Sequence, residues 1–471
     1  MRPWAAPAEG SSGLSPRALW RKALRALSNL PLAIGELAVL AGLSAIGTVI
    51  EQNKSYEYYL TFYPNSGPNV VLGFVTADLI EALAWDHMYS SPAYLGLLAL
   101  LAASLAACTT TRQWPVAKVA QKWAFKSSAR AVAAGADIAE SLPGARLGDL
   151  GSELSKRRYQ VFVKDGRLYA FRGLVGRLAP IAVHAAMLLS MAGFVEGAVG
   201  GWDGNIMAPT GGEFVAIQPL SPASPIAGAP RGADAVVRVD DFRIDYRANG
   251  EVSQFYSDLS VLSRDGEVLQ RKTISVNDPL RFGDIVAYQT DWGIAGITVR
   301  AQGVAGLPEG PFTLPMAALE GSGVLEGRAW GSFLPTGERG AGGEAPPGVS
   351  LIARDLQSVA VYDEKGAFVG VRRPGSGKPI AVGGVELVVE GMTGSTGLQI
   401  KADPGIPLVY AGFALMIVSG FLSVLPFNQV HALLEGTTVH VGGRTNRGRT
   451  EFVREMDEVL ESVPEITEAA A

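Results

Sequence analysis

The sequence is poor in the residues that most often build catalytic and metal sites. It has one cysteine, Cys108, which excludes an internal disulfide, a CxxC redox pair and any zinc site made of cysteines. It has only four histidines, so a multi-histidine metal centre is not expected. It also lacks a nucleotide-binding loop, a catalytic triad, an HExxH motif and a CxxCH motif. The sequence therefore offers no candidate catalytic site that would support an enzyme hypothesis.

Charge is scarce as well. Of the 471 residues, 18% are charged and 48% are hydrophobic, whereas about 25% of an ordinary soluble domain is charged. The net charge of -5 is small, and a nucleic-acid binder would carry a basic stripe. The composition predicts a membrane protein with a substantial water-exposed part and no nucleic-acid partner.

Four apolar runs are long enough to span a lipid bilayer, which takes roughly 20 helical residues. We predict transmembrane helices over residues 31–50, 93–109, 178–199 and 406–425. Ahead of the first run, residues 1–20 are rich in Pro, Ala, Gly and Ser. They fit either the remnant of an organelle transit peptide or a disordered cytoplasmic start, and both interpretations remain open.

Lys and Arg residues beside the spans predict the orientation, because loops rich in them stay on the inner side. Segment 1–30 has five basic residues and one acid, and segment 110–177 has thirteen and five. The short loop 51–92 has one basic residue and five acids. We therefore expect the first two segments on the inner side, together with the tail, 426–471. The loop 51–92 and the long segment 200–405 are expected outside, in a periplasm or a thylakoid lumen.

The long outer segment has the pattern of β structure. Apolar residues nearly alternate over residues 237–246, as in a half-buried strand. Asp-Gly at 265–266 lies between two apolar runs and predicts a tight hairpin. Similar strand pairs are predicted over 359–371 and 380–389, and the Gly-rich stretch 302–350 is expected to be loops or an insertion. The fold class is therefore membrane α + β, with four helices and a large extracytoplasmic antiparallel β-sandwich or barrel-like domain.

Three patterns stand out on the predicted inner side. Residues 114–134 carry basic residues at four-residue spacing, which fits an amphipathic helix on the membrane surface or a solvated helix face. Residues 159–171 predict a β-hairpin. Residues 450–463 predict an acidic helix with one apolar face that packs against the protein itself or a partner.

His184 is the most informative single residue. It lies inside the third predicted span, where an ionisable residue marks a functional site by default. An imidazole ligates haem iron through one ring nitrogen. The alternative is a neutral histidine that is hydrogen-bonded to a neighbouring helix, and the residues alone leave both interpretations open.

The remaining ionisable residues near the spans have simpler interpretations. Glu36 and Glu196 lie near span ends and are expected to reach water. His87, beside the second span among Trp and Tyr, fits an interfacial aromatic belt, with a secondary part in haem binding as the alternative. His431 and His440 follow the fourth span and are expected at the surface.

A series of motifs, in order along the chain, resembles one family. They are 46–53 (IGTVIEQN), 86–91 (DHMYSS), 177–184 (RLAPIAVH), 254–259 (QFYSDL), 276–280 (VNDPL), 288–292 (YQTDW), 403–407 (DPGIP) and 441–447 (VGGRTNR). From about residue 30 to 464 the chain resembles the CcsB (ResB-type) cytochrome c biogenesis proteins, in particular their plastid and cyanobacterial branch. It departs from their pattern around 302–350 and at His431, where the family more often has an aromatic residue.

The resemblance implies a cytochrome c assembly factor of the system II type in a thylakoid membrane. Such proteins work with a separate membrane partner, CcsA, whose tryptophan-rich haem-handling motif this chain lacks. Together the two move haem to the outer side and present it, reduced, to apocytochromes c. The resemblance assigns His184 as a transient haem ligand shared with the partner, and it implies a subunit rather than an enzyme on its own.

Two alternatives from other classes remain. One is a scaffold: a membrane-tethered β-domain that binds apocytochrome or photosynthetic subunits without touching haem. The other is a thiol-handling or lyase enzyme, which is weakened because the single Cys108 is predicted on the inner side.

Overall fold

The computed structural model describes residues 15–68, 70–120, 122–303, 307–319, 328–337 and 346–465. Most of the predicted leader, 1–20, and much of the Gly-rich stretch, 302–350, lie outside these residues. The chain forms two compact units, one of Met1–Val195 with Gly405–Ala471 and one of Glu196–Pro404.

The helices of the first unit carry the membrane-spanning part. In the described residues the α-helices are α1 (Pro16–Leu27), α2 (Leu30–Val49), α3 (Tyr56–Phe62), α4 (Ala77–Ala82), α5 (Pro92–Cys108), α6 (Trp114–Ala120), α7 (Ala129–Ala133), α8 (Leu147–Lys156), α9 (Leu174–Gly200), α10 (Ile406–Ser423) and α11 (Arg449–Glu461). A 3-10 turn, Trp85–Ser90, precedes α5, and a π turn, Thr109–Gln113, joins α5 to α6.

The strands occur in three stretches of the chain. They are β1 (Ile138–Pro143), β2 (Gln160–Lys164), β3 (Arg167–Arg172), β4 (Trp202–Pro209), β5 (Glu213–Val215), β6 (Ser221–Pro222), β7 (Val236–Tyr246), β8 (Val252–Leu262), β9 (Val268–Ser275), β10 (Leu280–Phe282), β11 (Ile285–Gln302), β12 (Phe312–Pro315), β13 (Ala317–Ala318), β14 (Trp330–Pro335), β15 (Gly348–Ala353), β16 (Val359–Tyr362), β17 (Phe368–Arg372), β18 (Ile380–Val382), β19 (Val385–Ala402), β20 (Asn428–Glu435) and β21 (Thr438–Thr445).

Four helices are long and apolar enough to cross a membrane. They are Leu30–Val49, Pro92–Ala120, Leu174–Gly200 and Ile406–Ser423. Sequence features account for where they start: α5 begins after Ser91, whose hydroxyl accepts a hydrogen bond from the Tyr94 amide, and three of the four have proline in the first turn. The second helix runs past the predicted end at residue 109, through the π turn and α6, to Ala120.

The helices α9 and α10 approach each other closely at small residues. A Cβ on Gly193 would lie 2.8 Å from the Leu408 Cβ, and one on Gly412 would overlap Ser190. Small residues allow such backbone contact between membrane helices, which gains van der Waals packing where lipid supplies no hydrophobic driving force. This contact fixes the position of α9, the helix that carries His184.

The loop before α9 and the tail after α10 form one domain, which we name the loop–tail domain. Its sheet has the order β1-β21-β20-β3-β2, so the tail strands β20 and β21 lie in the middle of strands from the loop. The helices α8 and α11 cover the sheet, and their buried residues include Leu150, Leu154, Phe452 and Met456. The predicted hairpin at 159–171 and tail helix at 450–463 are confirmed.

Two details of this domain differ from the sequence predictions. A continuous helix over 114–134 is wrong, because α6 ends at Ala120 and α7 begins at Ala129. The strands β20 and β21 were not predicted, although Val430 and Ala432 alternate with other residues along β20, and Val439 and Val441 do so along β21. These four residues are buried in the core that α8 and α11 cover.

The second unit, which we name the sandwich domain, is antiparallel throughout. Its described strands form a seven-stranded sheet around the long pair β11 and β19, a five-stranded sheet, β13-β14-β15-β16-β17, and a four-stranded sheet, β5-β7-β8-β9. Two hydrophobic clusters lie between them, one centred on Val237, Leu259 and Ile285, the other on Ile297, Leu351 and Leu387. None of the described sheets closes on itself, so the prediction of four membrane helices and a sandwich-like β-domain is confirmed.

Candidate functional site

His184 lies in α9, half-buried against the end of the second membrane helix. Its Nδ1 is 2.9 Å from Thr109 Oγ1, and its Nε2 is 3.1 Å from Gln113 Nε2. Both partners belong to the π turn, four residues apart on one face. The site is therefore a contact between two membrane helices, made by three polar side chains.

The π turn follows from its sequence, Thr-Thr-Thr-Arg-Gln. The three threonine hydroxyls donate to the carbonyls of Leu105, Ala106 and Ala107 at 2.8, 2.9 and 2.6 Å. Such bonds to the preceding turn compete with the helix ladder and bend or widen it. The Trp114 amide then bonds the Thr109 carbonyl, five residues back. Turns of this kind occur often at functional sites.

The hydrogen bonds favour the tautomer of His184 that carries the proton on Nδ1. Thr109 Oγ1 donates to the Leu105 carbonyl, so toward the ring it accepts, and Nδ1 is the N–H. Gln113 presents its amide N–H to the other nitrogen, so Nε2 has the lone pair. Metal-ligating histidines are oriented in this way, with one nitrogen donating to a fixed oxygen and the other free to bind.

In this structure both ring nitrogens of His184 are occupied by protein groups. These contacts are the ones expected of the second interpretation, a neutral histidine hydrogen-bonded to a neighbouring helix. For Nε2 to bind iron, the Gln113 amide has to move aside. Among the described residues, no group of three or more His, Cys, Asp or Glu is placed to hold a metal ion.

The structure does not bring His87 to this site. His87 lies in the 3-10 turn before α5, with its Nδ1 2.9 Å from Asp86 Oδ1 and 44% of its side chain exposed. The π turn follows the other end of α5, which has 17 residues and so is about 25 Å long. The two histidines therefore belong to opposite ends of the second membrane helix.

The expectation that Glu36 reaches water is wrong. Glu36 is only 4% exposed, and its Oε1 accepts a hydrogen bond from Ser104 at 3.1 Å. Its Oε2 is buried without a hydrogen-bond partner among the described residues. The rule that an ionisable residue within a span marks a site would have identified Glu36, which the sequence analysis assigned to a span end. Glu196, in contrast, is exposed.

The two tail histidines differ from each other. His431, on β20, is half-buried with its ring centroid 5.0 Å from that of Tyr169, so the expected surface position is wrong for it. Burial, with the nearby charge of Lys126, lowers the pKa of His431 to about 4. His440, on β21, has its Nδ1 2.8 Å from Ser141 Oγ, and a quarter of its side chain is exposed.

A basic cavity lies on the other side of the π turn from His184. It has a volume of about 420 Å³, and its lining comprises Arg21, Leu24, Arg25, Ser28, Thr111 and Arg112. Thr111 and Arg112 fall between Thr109 and Gln113 in the turn, and the lining includes none of His184, Thr109 and Gln113. The π turn thus presents polar groups to two separate places.

The sequence is similar to known proteins along nearly its whole length. It matches the ResB-like family over residues 30–319 and 338–457. It is 48% identical over 505 residues to "Cytochrome c biogenesis protein CCS1, chloroplastic" of Chlamydomonas reinhardtii, covering 98% of this chain and 82% of that protein. It is 47% identical over 450 residues to the protein of the same name from Oryza sativa subsp. japonica, covering 96% and 78%.

Cyanobacterial proteins are similar as well. "Cytochrome c biogenesis protein CcsB" of Thermosynechococcus vestitus is 43% identical over 440 residues, covering 93% of this chain and 95% of that protein. The family match covers well over half of the chain, and the relatives are named for cytochrome c biogenesis in chloroplasts and cyanobacteria. The chain belongs to the ResB-like family.

Proposed function

We propose that the protein is a cytochrome c biogenesis factor of the system II type. With a CcsA-type membrane partner it moves haem across the thylakoid membrane and presents it to apocytochromes c in the lumen. Haem is its cargo, bound in transit, and the protein is a subunit of a haem-attachment complex rather than an enzyme on its own. The names of its relatives and the four membrane helices support this proposal.

The arrangement around His184 is the observation that carries the proposal. Thr109 holds the Nδ1 proton and orients the ring, while the lone pair of Nε2 meets only the Gln113 amide. An amide that donates one hydrogen bond to Nε2 is easily exchanged for iron. One histidine from this chain and one ligand from the partner make a site from which haem is released, as a carrier requires.

The charge pattern supports the orientation. Segment 110–177, with thirteen basic residues, contributes β1–β3 to the loop–tail domain, and the tail contributes the strands between them. We propose that this domain faces the stroma or cytoplasm. The sandwich domain then faces the lumen, where it receives the apocytochrome or shields the haem.

A second candidate function is a scaffold that binds apocytochrome or photosynthetic subunits without haem ligation. The observation that favours it is the occupation of both ring nitrogens by Thr109 and Gln113. On this interpretation His184 only joins two helices.

Two substitutions at one hydrogen bond separate these functions. In a host that lacks its own copy, we expect His184→Ala to accumulate normally and to abolish holocytochromes c detected by haem staining. Gln113→Ala removes one of the two hydrogen bonds of His184 but keeps the imidazole, so we expect it to retain holocytochromes. A scaffold predicts that neither variant abolishes holocytochromes, because His184 then only joins two helices. Equal effects of His184→Ala and Gln113→Ala would therefore reject haem ligation.

A further inference from the structure

Arg177 is a half-buried arginine near the start of α9. Its Nε is buried and has no hydrogen-bond partner among the residues that the structure describes. Its guanidinium lies 6.0 Å from the centre of the Phe427 ring, a distance at the limit of a cation–π contact. A buried, unpaired nitrogen on a charged guanidinium costs free energy, and a bound anion would offset this cost.

Arg172, a nearby arginine, is an example of a structural cation whose hydrogen bonds are made within the protein. Arg172 makes two hydrogen bonds to the Glu455 carboxylate, at 2.6 and 2.7 Å, and one to the Arg157 carbonyl at 3.0 Å. Bidentate pairs of this kind satisfy a guanidinium within the protein. Arg177, five residues later, has no such arrangement in the described part of the chain.

A cavity of about 250 Å³ opens at Arg177. Its lining comprises Pro115, Val116, Val119, Ala120, Arg177, Phe427 and Gln429. The wall from α6 is apolar, and the opposite wall combines a guanidinium, an aromatic ring and an amide. Gln429 is already held by a 2.9 Å hydrogen bond to Tyr169. This pattern suits a ligand that has an apolar body and an acidic edge.

The cavity and His184 lie along one seam between two helices. Arg177 and His184 are seven residues apart in α9, which places them on one face about 10 Å apart along the axis. Across the seam, Gln113 meets His184, and Val116 and Ala120 lie three and seven residues further on, on the same face of that helix. The basic cavity at Arg21 and Arg112 is on the other side of the π turn and does not share this seam.

We propose that the Arg177 cavity binds a propionate carboxylate of haem, while the iron of the same haem lies toward His184. This inference rests on the proposed function, but the proposed function does not require a contact between Arg177 and a propionate. Haem carries two carboxylates at one edge of a flat apolar ring, and the axial distance of two helical turns is similar to the distance from that edge to the iron. Arg177 is thus a haem-positioning residue at the entrance of the path.

The test compares haem with haem dimethyl ester, in which both carboxylates are blocked. The full chain, co-purified with its membrane partner and placed in lipid nanodiscs, is titrated with each porphyrin and followed by absorbance. We expect haem to bind about ten- to a hundredfold more tightly than the ester, the range for a hydrogen bond to a charged group. Arg177→Gln should abolish this preference, and Arg177→Lys should keep part of it.

Arg112→Gln is the matched control, since it removes an arginine from the other cavity and should leave the preference unchanged. If Arg177→Gln does not accumulate, the Arg177→Lys protein supplies the comparison, and an undiminished preference there overturns the proposal. A lipid phosphate is the other anion of the right charge. If Arg177→Gln loses anionic lipid and keeps the preference for haem over its ester, the cavity is a lipid site and the proposal fails.

Failure of this inference is distinguishable from failure of the proposed function. If His184→Ala abolishes holocytochromes while Arg177→Gln binds haem and ester as the unmodified protein does, only the carboxylate site is rejected. If His184→Ala leaves haem binding and cytochrome maturation intact, the proposed function itself is rejected.

Discussion

The loop–tail domain and the sandwich domain are both antiparallel, but they are assembled differently. The sandwich comes from one continuous stretch of chain, and its longest ladder joins β11 and β19 along most of their 18 residues each. The loop–tail domain joins two stretches that flank α9, the sandwich and α10. In its centre β3 pairs with β20, and Tyr169 lies opposite His431.

This difference assigns different roles to the two domains. Because β3 leads into α9 and β20 follows α10, the loop–tail sheet fixes the N-terminal end of α9 and the C-terminal end of α10. His184 and Arg177 lie on one of these helices. The described hydrogen-bond partners of His184, Thr109 and Gln113, both belong to the first unit, which also contains the loop–tail domain. We therefore expect the loop–tail domain to support the proposed haem site, and we expect the sandwich domain to be stable without the loop–tail domain.

The largest effect is expected from removal of the tail. A chain that ends at residue 426 lacks β20, β21 and α11, so β1 loses its neighbour and α8 loses much of its core. Limited proteolysis of membranes should then cut within residues 122–172, whereas a chain that ends at residue 465 should resist. If the truncated protein protects this loop as well as the full chain does, the account of a shared domain is contradicted.

A substitution that creates a cavity in the core of one domain should destabilise that domain and leave the other unaffected. Leu150 in α8 and Leu259 in β8 are 0% and 1% exposed. Leu150→Ala and Leu259→Ala should each cost about 2–5 kcal/mol of unfolding free energy in the affected domain. Hydrogen exchange measured by mass spectrometry should show lost protection in the loop–tail domain for the first and in the sandwich for the second. Loss of protection in both domains from one substitution would reject their independence.

In the loop–tail domain, stability is expected to depend on pH between about 4 and 6.5. The pKa of His431 is lowered to about 4 by burial and by Lys126, from about 6.5 in an unfolded chain. Below pH 6.5 the unfolded chain therefore binds more protons, and stability falls as the pH drops from about 6.5 to about 4. The titration of one group changes the free energy of unfolding by at most about 1.4 kcal/mol per pH unit.

His431→Phe keeps an aromatic ring against Tyr169 and removes the titrating group. We expect hydrogen exchange of the loop–tail domain to depend less on pH between 6.5 and 4.5 in this variant. His440→Ala is the control, because His440 is hydrogen-bonded to Ser141 at the other edge of β21. An unchanged pH dependence in His431→Phe would show that another group is responsible.

The smallest effects are expected at ion pairs. Glu455→Gln breaks the bidentate pair with Arg172, whose side chains are 20% and 33% exposed, and should cost about 1 kcal/mol. Asp291→Asn in the sandwich affects a pair with Arg328 that is 48% and 54% exposed, and should cost less than about 0.5 kcal/mol. Thermal unfolding of the two variants tests this order, and a larger loss for Asp291→Asn would contradict it.

Local patterns predicted the parts of the fold whose contacts are local. The four apolar runs, the hairpin at 159–171 and the tail helix at 450–463 follow from periodicity, turn residues and length. The sandwich hairpin formed by β8 and β9 was predicted from an Asp-Gly turn for the same reason. Each of these features depends on residues that are close in sequence, so hydrophobic period and turn chemistry are sufficient.

Contacts between distant residues were not predictable from one sequence. The strands of the loop–tail sheet pair across more than 250 residues, and periodicity carries no information about register between distant segments. His184 was identified as a candidate because it is ionisable and lies in a span. Its partners Thr109 and Gln113 are 75 and 71 residues away, and their role depends on the π turn. That the Nε of Arg177 is buried without a hydrogen-bond partner in the described part of the chain is likewise visible only when its surroundings are known.

The central claim is that Nε2 of His184 binds haem iron. The most direct test purifies the complex with its membrane partner from cells that express the unmodified chain or His184→Gly, and records haem content and absorption spectra with and without added imidazole. We predict that His184→Gly loses haem and that imidazole, which fits the space left by the side chain, restores both the haem and the spectrum. Equal haem content and identical spectra in the two complexes, with no response to imidazole, would contradict the claim.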